Sequence, residues 1–190
     1  MTLLYLITRI ITFFGSGLRV LWEQIVCRLE GVPVEDIRVF KNSELCAHAE
    51  HELPKTRKQS FWICSFPFTM NFILGFISLL SGSYRLFFLG DFSTFKSYIF
   101  VWIGVSLLAN CAPSFEDALS LKDMFYNKET SIIKKLLVSP LFAVYYASAW
   151  LEKYSITFVL AIVFAIFLPK MLNLLFPAII TVVEFFRDAE

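Results

Sequence analysis

Two histidines in a polar stretch are the residues of this chain whose type best suits metal binding. His48 and His51 are three positions apart, with Cys46, Glu50 and Glu52 beside them. A separation of three places two side chains on one face of a helix but on opposite faces of a strand. Two histidines without a second cluster of ligands are more typical of a solvated loop than of a closed zinc site. A metal site at His48 and His51 is therefore the alternative interpretation.

A charged pair inside an apolar helix is the second feature that could do chemistry. Arg19 and Glu23 are four residues apart, hence on one face about a turn from each other. The surrounding segment is otherwise apolar enough for a bilayer, and it ends where Gly31 opens the sequence Gly-Val-Pro-Val. Ionisable side chains in such a segment usually face the interior of a helix bundle or reach the membrane interface.

Together with later pieces of the chain, this helix resembles the site-2 protease family of intramembrane metalloproteases. The pieces follow the order of that family: the helix, Gly-Val-Pro-Val, a polar hairpin, a Pro-Phe-x-x-Asn helix containing Pro67 and Asn71, and a Pro-Ser-x-x-Asp element ending at Asp117. The family's helix carries His-Glu-x-x-His, which supplies two zinc ligands and a general base. Laid on this sequence, the motif falls on residues 19 to 23, so that Arg19 and Glu23 replace both histidines.

The resemblance implies a protein that has lost the protease chemistry. Asn110 also stands where the relatives carry a histidine, and Asp117 corresponds to a third, carboxylate ligand. Hydrolysis by this mechanism needs a metal with an open position and a base that activates its water. We therefore expect no catalytic residue, no metal and no cofactor. A guanidinium is expected in place of the zinc, with Arg19 paired to Asp117, to Glu23 or to both.

Simpler roles are available for the other motif residues. Asn71 is expected to make a hydrogen bond that packs helices, since an amide in a membrane needs a partner. Pro113 is expected to end one helix and Ser114 to cap the next, whose first turn Asp117 favours.

The composition of the chain indicates the broad class of protein to which it belongs. The chain has 190 residues, of which 57% are hydrophobic and 17% aromatic, and its mean hydropathy is +0.67. These values indicate an integral membrane protein. A net charge of +1 gives no electrostatic basis for binding nucleic acid. The four cysteines form no C-x-x-C pair and predict no disulfide framework.

The pattern of apolar and polar segments predicts an all-α polytopic membrane protein, one domain of residues 1–190 with four to five transmembrane helices. A small cytoplasmic hairpin or loop is expected between the first two. The segments are a first helix at 1–28, a polar loop at 31–60, apolar helices at 61–80, 97–112, 136–151 and 156–186, and a polar amphipathic loop at 117–135. The final helix is expected to kink at its prolines, or to be a span followed by an interfacial helix.

The distribution of basic residues predicts how the chain is oriented in the membrane. They are concentrated in the loops 31–60 and 117–135, which the positive-inside rule places in the cytoplasm. The predicted location is the bacterial inner membrane, crossed several times. The predicted function is that of a non-catalytic scaffold, sensor or membrane anchor that binds a soluble cytoplasmic partner or further copies of itself. The alternatives are a residual metal-dependent hydrolase and a pore or transport subunit formed by oligomerisation.

Overall fold

The computed structural model describes residues 3–38, 48–126 and 130–187, and this part of the chain is predominantly helical. Its elements are α1 (Leu3–Ile11), α2 (Phe13–Leu29), β1 (Val34–Arg38), β2 (His48–His51), α3 (Arg57–Ser83), a π-helical turn (Tyr84–Phe88), α4 (Phe95–Ala109), α5 (Phe115–Phe125), α6 (Ile132–Lys153) and α7 (Ile156–Arg187). The expected helical class is confirmed.

Two helices of the described chain are long and apolar enough to cross a membrane. They are Arg57–Phe88 and Ile156–Pro177, and the pair Tyr5–Ile11 and Phe13–Leu29 adds a third if it forms one broken span. The helix Phe95–Ala109 is apolar but shorter. Length and composition thus support a membrane protein, while the expected four to five spans stay a prediction.

The predicted first helix at 1–28 is instead two helices, which meet at Thr12 with a bend of 78°. The Thr12 hydroxyl donates to the Thr8 carbonyl at 2.8 Å, and the side-chain amide of Asn110 donates to the Thr12 carbonyl at 3.2 Å. Both carbonyls also accept their backbone donors, the N–H groups of Thr12 and Ser16, so the side-chain hydrogen bonds at the bend are additional ones. Side chains that insert beside the helix ladder are a known cause of sharp bends. The apolar pattern of the sequence continues through this position and therefore did not reveal the break.

The hairpin expected within residues 31–60 is present. β1 and β2 pair antiparallel, with Asp36 opposite Glu50 and an irregularity between Val34 and Asp36. Gly31, at φ +68°, ends α2 in a left-handed conformation. Val32 then packs with Val26, Cys27 and Ile63, which fixes the hairpin against α2 and α3. The connection between the strands, including Cys46, lies outside the described residues.

The centre of the bundle is α3, which is longer than the predicted span at 61–80. It begins at a capping box formed by Thr56 and Gln59, contains Pro67, and continues into the π-helical turn. Its later half packs on α4 and α7 through a core of small and branched residues. That core consists of Leu79, Val105, Leu108, Ala109, Ala161, Ala165 and Leu168.

The segment predicted as one polar loop at 117–135 contains most of α5 and the start of α6. The predicted helix at 136–151 is part of α6, which runs from Ile132 to Lys153. A left-handed Ser155 separates α6 from α7. α7 is one helix from Ile156 to Arg187 with Pro169 and Pro177 inside it.

Candidate functional site: a buried ion-pair network

Arg19 is the centre of a buried network of charges. Its side chain is 0% exposed, on the face of α2 that packs into the bundle. Nε donates to Glu23 Oε1 at 2.9 Å, and Nη1 donates to both carboxylate oxygens of Glu152, at 3.1 and 3.3 Å. A guanidinium is a planar, permanent cation with five N–H donors, so it can serve two carboxylates at once. The predicted pairing of Arg19 with Glu23 is present.

Glu152, near the end of α6, joins the first two helices to the C-terminal half of the chain. Arg9 on α1 donates to Glu152 and to the side-chain oxygen of Asn110. The carboxylate is buried, 5% exposed, and lies between two arginines. Glu152 falls between the predicted helices at 136–151 and 156–186, and the sequence did not identify it as part of a site. The only signal was an acidic residue at the end of an apolar helix.

Glu23 connects the network to the hairpin. Its second oxygen, Oε2, accepts a hydrogen bond from the backbone N–H of Ala49 at 2.8 Å. Ala49 is itself buried in β2. One carboxylate therefore binds a cation of its own helix and the main chain of the hairpin, so the hairpin is held directly against the charged core.

His51 and Asp117 form a second ion pair, where the hairpin meets the start of α5. His51 Nε2 lies 3.2 Å from Asp117 Oδ1, and both side chains are less than a tenth exposed. Asp117 Oδ2 accepts from the Ser114 hydroxyl at 2.6 Å, and Ser114 caps the helix by accepting from the Asp117 N–H. The expected cap is therefore present. Asp117 is also a partner of the histidine, and sequence reasoning did not predict that contact.

The pKa of His51 reflects this surrounding charge. Burial acts to lower it, but the hydrogen bond and negative charge of Asp117 outweigh that effect, with smaller contributions from the Glu52 carbonyl and Glu23. The pKa rises from 6.5 to about 9. At neutral pH His51 is therefore a cation.

Two asparagines satisfy backbone carbonyls at the break in the first helix. The Asn71 amide donates to the carbonyls of Gly15 and Asn110, at 3.2 and 3.0 Å, and its oxygen accepts from the Trp22 indole N–H at 3.1 Å. Asn110 donates to the carbonyls of Thr12 and Ser106. Asn71 on α3 therefore bonds to the backbone of α2 and of the end of α4, which is the kind of contact expected of it.

The structure thus gathers the family-motif positions, although they are far apart in sequence. Arg19, Glu23, Asn71 and Asn110 are almost completely buried, and Asp117 is 7% exposed. Pro67 is buried one turn before Asn71 in α3. His48 pairs with Arg38 in the backbone register of the hairpin.

The network does not fit the zinc of the resembled family. A guanidinium only donates hydrogen bonds, and it occupies the motif position that would supply a ligand. Within the described residues, no three His, Cys, Asp or Glu side chains are grouped closely enough to hold a metal ion. What the arrangement does is neutralise charge, because Arg9, Arg19 and protonated His51 balance Glu23, Asp117 and Glu152.

Comparison with family models, with curated proteins and with solved structures found no match to this chain.

Proposed function

We propose that this chain is a non-catalytic integral membrane protein, similar to site-2 proteases in the order of its elements, that acts as a scaffold, sensor or membrane anchor for a partner or for further copies of itself. The observation that carries the proposal is the buried Arg19 guanidinium bound to Glu23 and Glu152. Where the resembled family has a metal and a base, this chain has an ion pair.

The ion pair argues against hydrolysis on physical grounds. A general base must offer a free lone pair near the reacting water, and arginine stays protonated at any pH that proteins tolerate. The Glu23 carboxylate is occupied on one oxygen by Arg19 and on the other by the Ala49 N–H. These two hydrogen bonds give the Glu23 carboxylate a structural role.

The same contacts suit a scaffold. The network joins α1, α2 and α6 through Arg9, Arg19 and Glu152, and it joins α2 to the hairpin through Glu23. The His51 and Asp117 pair then ties the hairpin to α5. The described strands of the hairpin and the start of α5 are thereby held against the helix bundle, so a partner that binds them would meet a preformed surface and lose little conformational entropy.

A residual metal-dependent hydrolase is the second candidate. It would use His51 and Asp117, which are in contact, together with His48. Its weakness is that the nitrogen of His51 facing Asp117 is the one a metal would need, and protonation blocks it. A pore formed by oligomerisation has less support, because Arg9, Arg19 and Glu23 find oppositely charged partners within one chain.

For the membrane arrangement we propose four to five spans, an inner-membrane location in a bacterium, and loops 31–60 and 117–135 in the cytoplasm. The support is the excess of lysine and arginine in those loops.

Metal analysis tests the non-catalytic assignment. The full chain is purified in detergent in the presence of zinc, dialysed, and assayed for zinc per chain by mass spectrometry, beside His51→Ala and a Lys55→Ala control. We expect wild type and both variants to be equal and far below one zinc per chain. About one zinc per wild-type chain that is lost only in His51→Ala would contradict the proposal and favour the hydrolase.

Binding is tested separately by photo-crosslinking in cells from Asp36, on the hairpin, and from Lys153, at the end of α6. We expect an adduct of one defined mass from position 36 that position 153 does not give. The adduct is either with a second copy of the chain or with one other protein, and a tagged second copy distinguishes these outcomes. Equal, diffuse labelling from both positions would count against a scaffold.

A further inference from the structure

A second charged feature lies at the opposite end of α3 from the hairpin, where α3 passes into α4. A cleft of about 350 Å³ is lined there by Ser81, Arg85, Thr94, Lys96, Ser97 and Phe100. Two cations in one small cleft are the side-chain type that binds phosphate oxygens, while the hydroxyls of Ser81 and Thr94 already donate within the protein. Neither the ion-pair network nor the proposed function uses this cleft.

The local backbone explains why the two cations share a cleft. Arg85 belongs to the π-helical turn Tyr84–Phe88, which widens the end of α3, and π-helical turns occur often at functional sites. Lys96 lies in the first turn of α4. The two helices approach closely just below, since a Cβ at Gly82 would lie 2.7 Å from the Ser97 carbonyl oxygen. The short link 89–94 then holds both cations at the same end of the helix pair.

One acidic residue lies close by, and it is already engaged. The Asp91 carboxylate accepts hydrogen bonds from the Ser93 N–H, the Ser93 hydroxyl and the Thr94 hydroxyl. Arg85 is near enough to favour the charged form of Asp91. Of the charged residues between positions 81 and 100, the cations Arg85 and Lys96 outnumber Asp91.

The surroundings of the cleft are those of a membrane interface. The candidate span Arg57–Phe88 ends at this level. Large aromatic side chains of the π-helical turn, the link 89–94 and the first turn of α4 are exposed, and they are Tyr84, Phe87, Phe88, Phe92, Phe95 and Tyr98. Aromatic residues concentrate at the depth of lipid headgroups, where the cations of a span also reach outward.

We propose that this cleft binds the headgroup phosphate of a glycerophospholipid between Arg85 and Lys96, with the acyl chains lying against the exposed aromatic residues. The phosphodiester carries the charge that the two cations would complement. The aromatic surroundings favour a phosphate attached to a lipid over free inorganic phosphate, because only the lipid has apolar surface to place there.

Native mass spectrometry of the full chain in detergent tests the proposal, with phosphatidylglycerol as the probe. Wild type is compared with Arg85→Gln/Lys96→Gln and with the charge-conserving Arg85→Lys/Lys96→Arg. The matched control is Lys55→Gln/Lys122→Gln, which removes the same charge from exposed lysines near the other end of α3. We expect one tightly bound lipid in wild type, weakened roughly tenfold or more in Arg85→Gln/Lys96→Gln and retained in the other two variants.

Two further arms use the wild-type protein alone. Diacylglycerol, which has the chains but no phosphate, should bind at least roughly tenfold more weakly than phosphatidylglycerol. Inorganic phosphate should not displace the bound lipid. Equal affinity of wild type and Arg85→Gln/Lys96→Gln, equal binding of diacylglycerol, or displacement by inorganic phosphate would each overturn the proposal.

Discussion

Replacing Arg19 by alanine removes the cation that two buried carboxylates share. Glu23 and Glu152 are 1% and 5% exposed, so neither gains much contact with water when the guanidinium is lost. Glu152 keeps Arg9, and Glu23 keeps the Ala49 N–H. Breaking a buried pair by removing one member costs about 3 to 5 kcal/mol. For a chain of this size we expect the melting temperature to fall by roughly 10 °C.

A double-mutant cycle with Glu152→Ala shows whether the contact itself is responsible. The doubly substituted protein no longer buries a Glu152 carboxylate that lacks one of its cations. Its loss of unfolding free energy should therefore be smaller than the sum of the two single losses, by about 0.5 to 3 kcal/mol. Arg19→Lys keeps the charge but not the planar fork and should be intermediate. A second cycle with Asp117→Ala should show weaker coupling, because Asp117 lies against His51.

Thermal unfolding in detergent, followed by circular dichroism, measures each member of the cycle. The matched control cycle pairs Arg19→Ala with Lys55→Ala, since the Lys55 side chain is 81% exposed, and it should be additive within about 0.5 kcal/mol. A cost of no more than about 1 kcal/mol for Arg19→Ala, as for an exposed pair, would refute a buried ion pair between Arg19 and Glu152. So would a Glu152 cycle as additive as the control.

Three further predictions concern other parts of the molecule. The pKa of His51 is raised in the folded protein, so its stabilising effect is complete below pH 6.5 and lost as the pH rises through about 9. The free energy of unfolding of wild type should therefore exceed that of His51→Gln by up to about 3 kcal/mol at the low end of this range and approach it at the high end, which melting curves at each pH measure, and a constant difference would contradict the ion pair. Gly15→Ala should destabilise the protein by about 1 to 3 kcal/mol, because the new Cβ would clash with the Ser106 carbonyl. The control Gly17→Ala, whose Cβ would meet nothing within 4 Å, should be neutral or stabilising, and equal effects of the two substitutions would count against the close approach of α2 and α4. Cysteine labelling at positions 58, 91 and 128 should give in, out and in, and labelling of 91 and 128 from one side would remove a span. Labelling at position 153 decides whether α6 crosses on its own.

Position 153 is the most informative of these labelling sites. The Thr157 hydroxyl donates to the Ala109 carbonyl, and Asn71 donates to the Asn110 carbonyl. The turn between α6 and α7 therefore lies level with Asn71, part-way along α3. If position 153 is inaccessible from outside, α6 and α7 together make one interrupted crossing.

Local features of the fold were predictable from the sequence because their causes are local. Gly31 ends α2, and Ser114 caps α5, and both follow from residue type and spacing. The hairpin followed from the roughly period-two alternation of residues 32–40 and a second possible strand at 45–53. The break at Thr12 was not predictable in this way, because it depends on the Asn110 side chain, which is distant in sequence.

The contacts of the charged core likewise fall into a local one, which the sequence predicts, and a distant one, which it does not. The Arg19 and Glu23 pair lies within one helix, four residues apart, and the sequence alone predicts it. Glu152 is 133 residues from Arg19 in sequence, and no periodicity connects them. What the sequence does contain is a charge imbalance: Arg9 and Arg19 lie on a largely apolar segment that offers only Glu23. Because unpaired buried cations are so costly, a further carboxylate from elsewhere in the chain was required, and an acidic residue at the end of an apolar helix was the place to look for it.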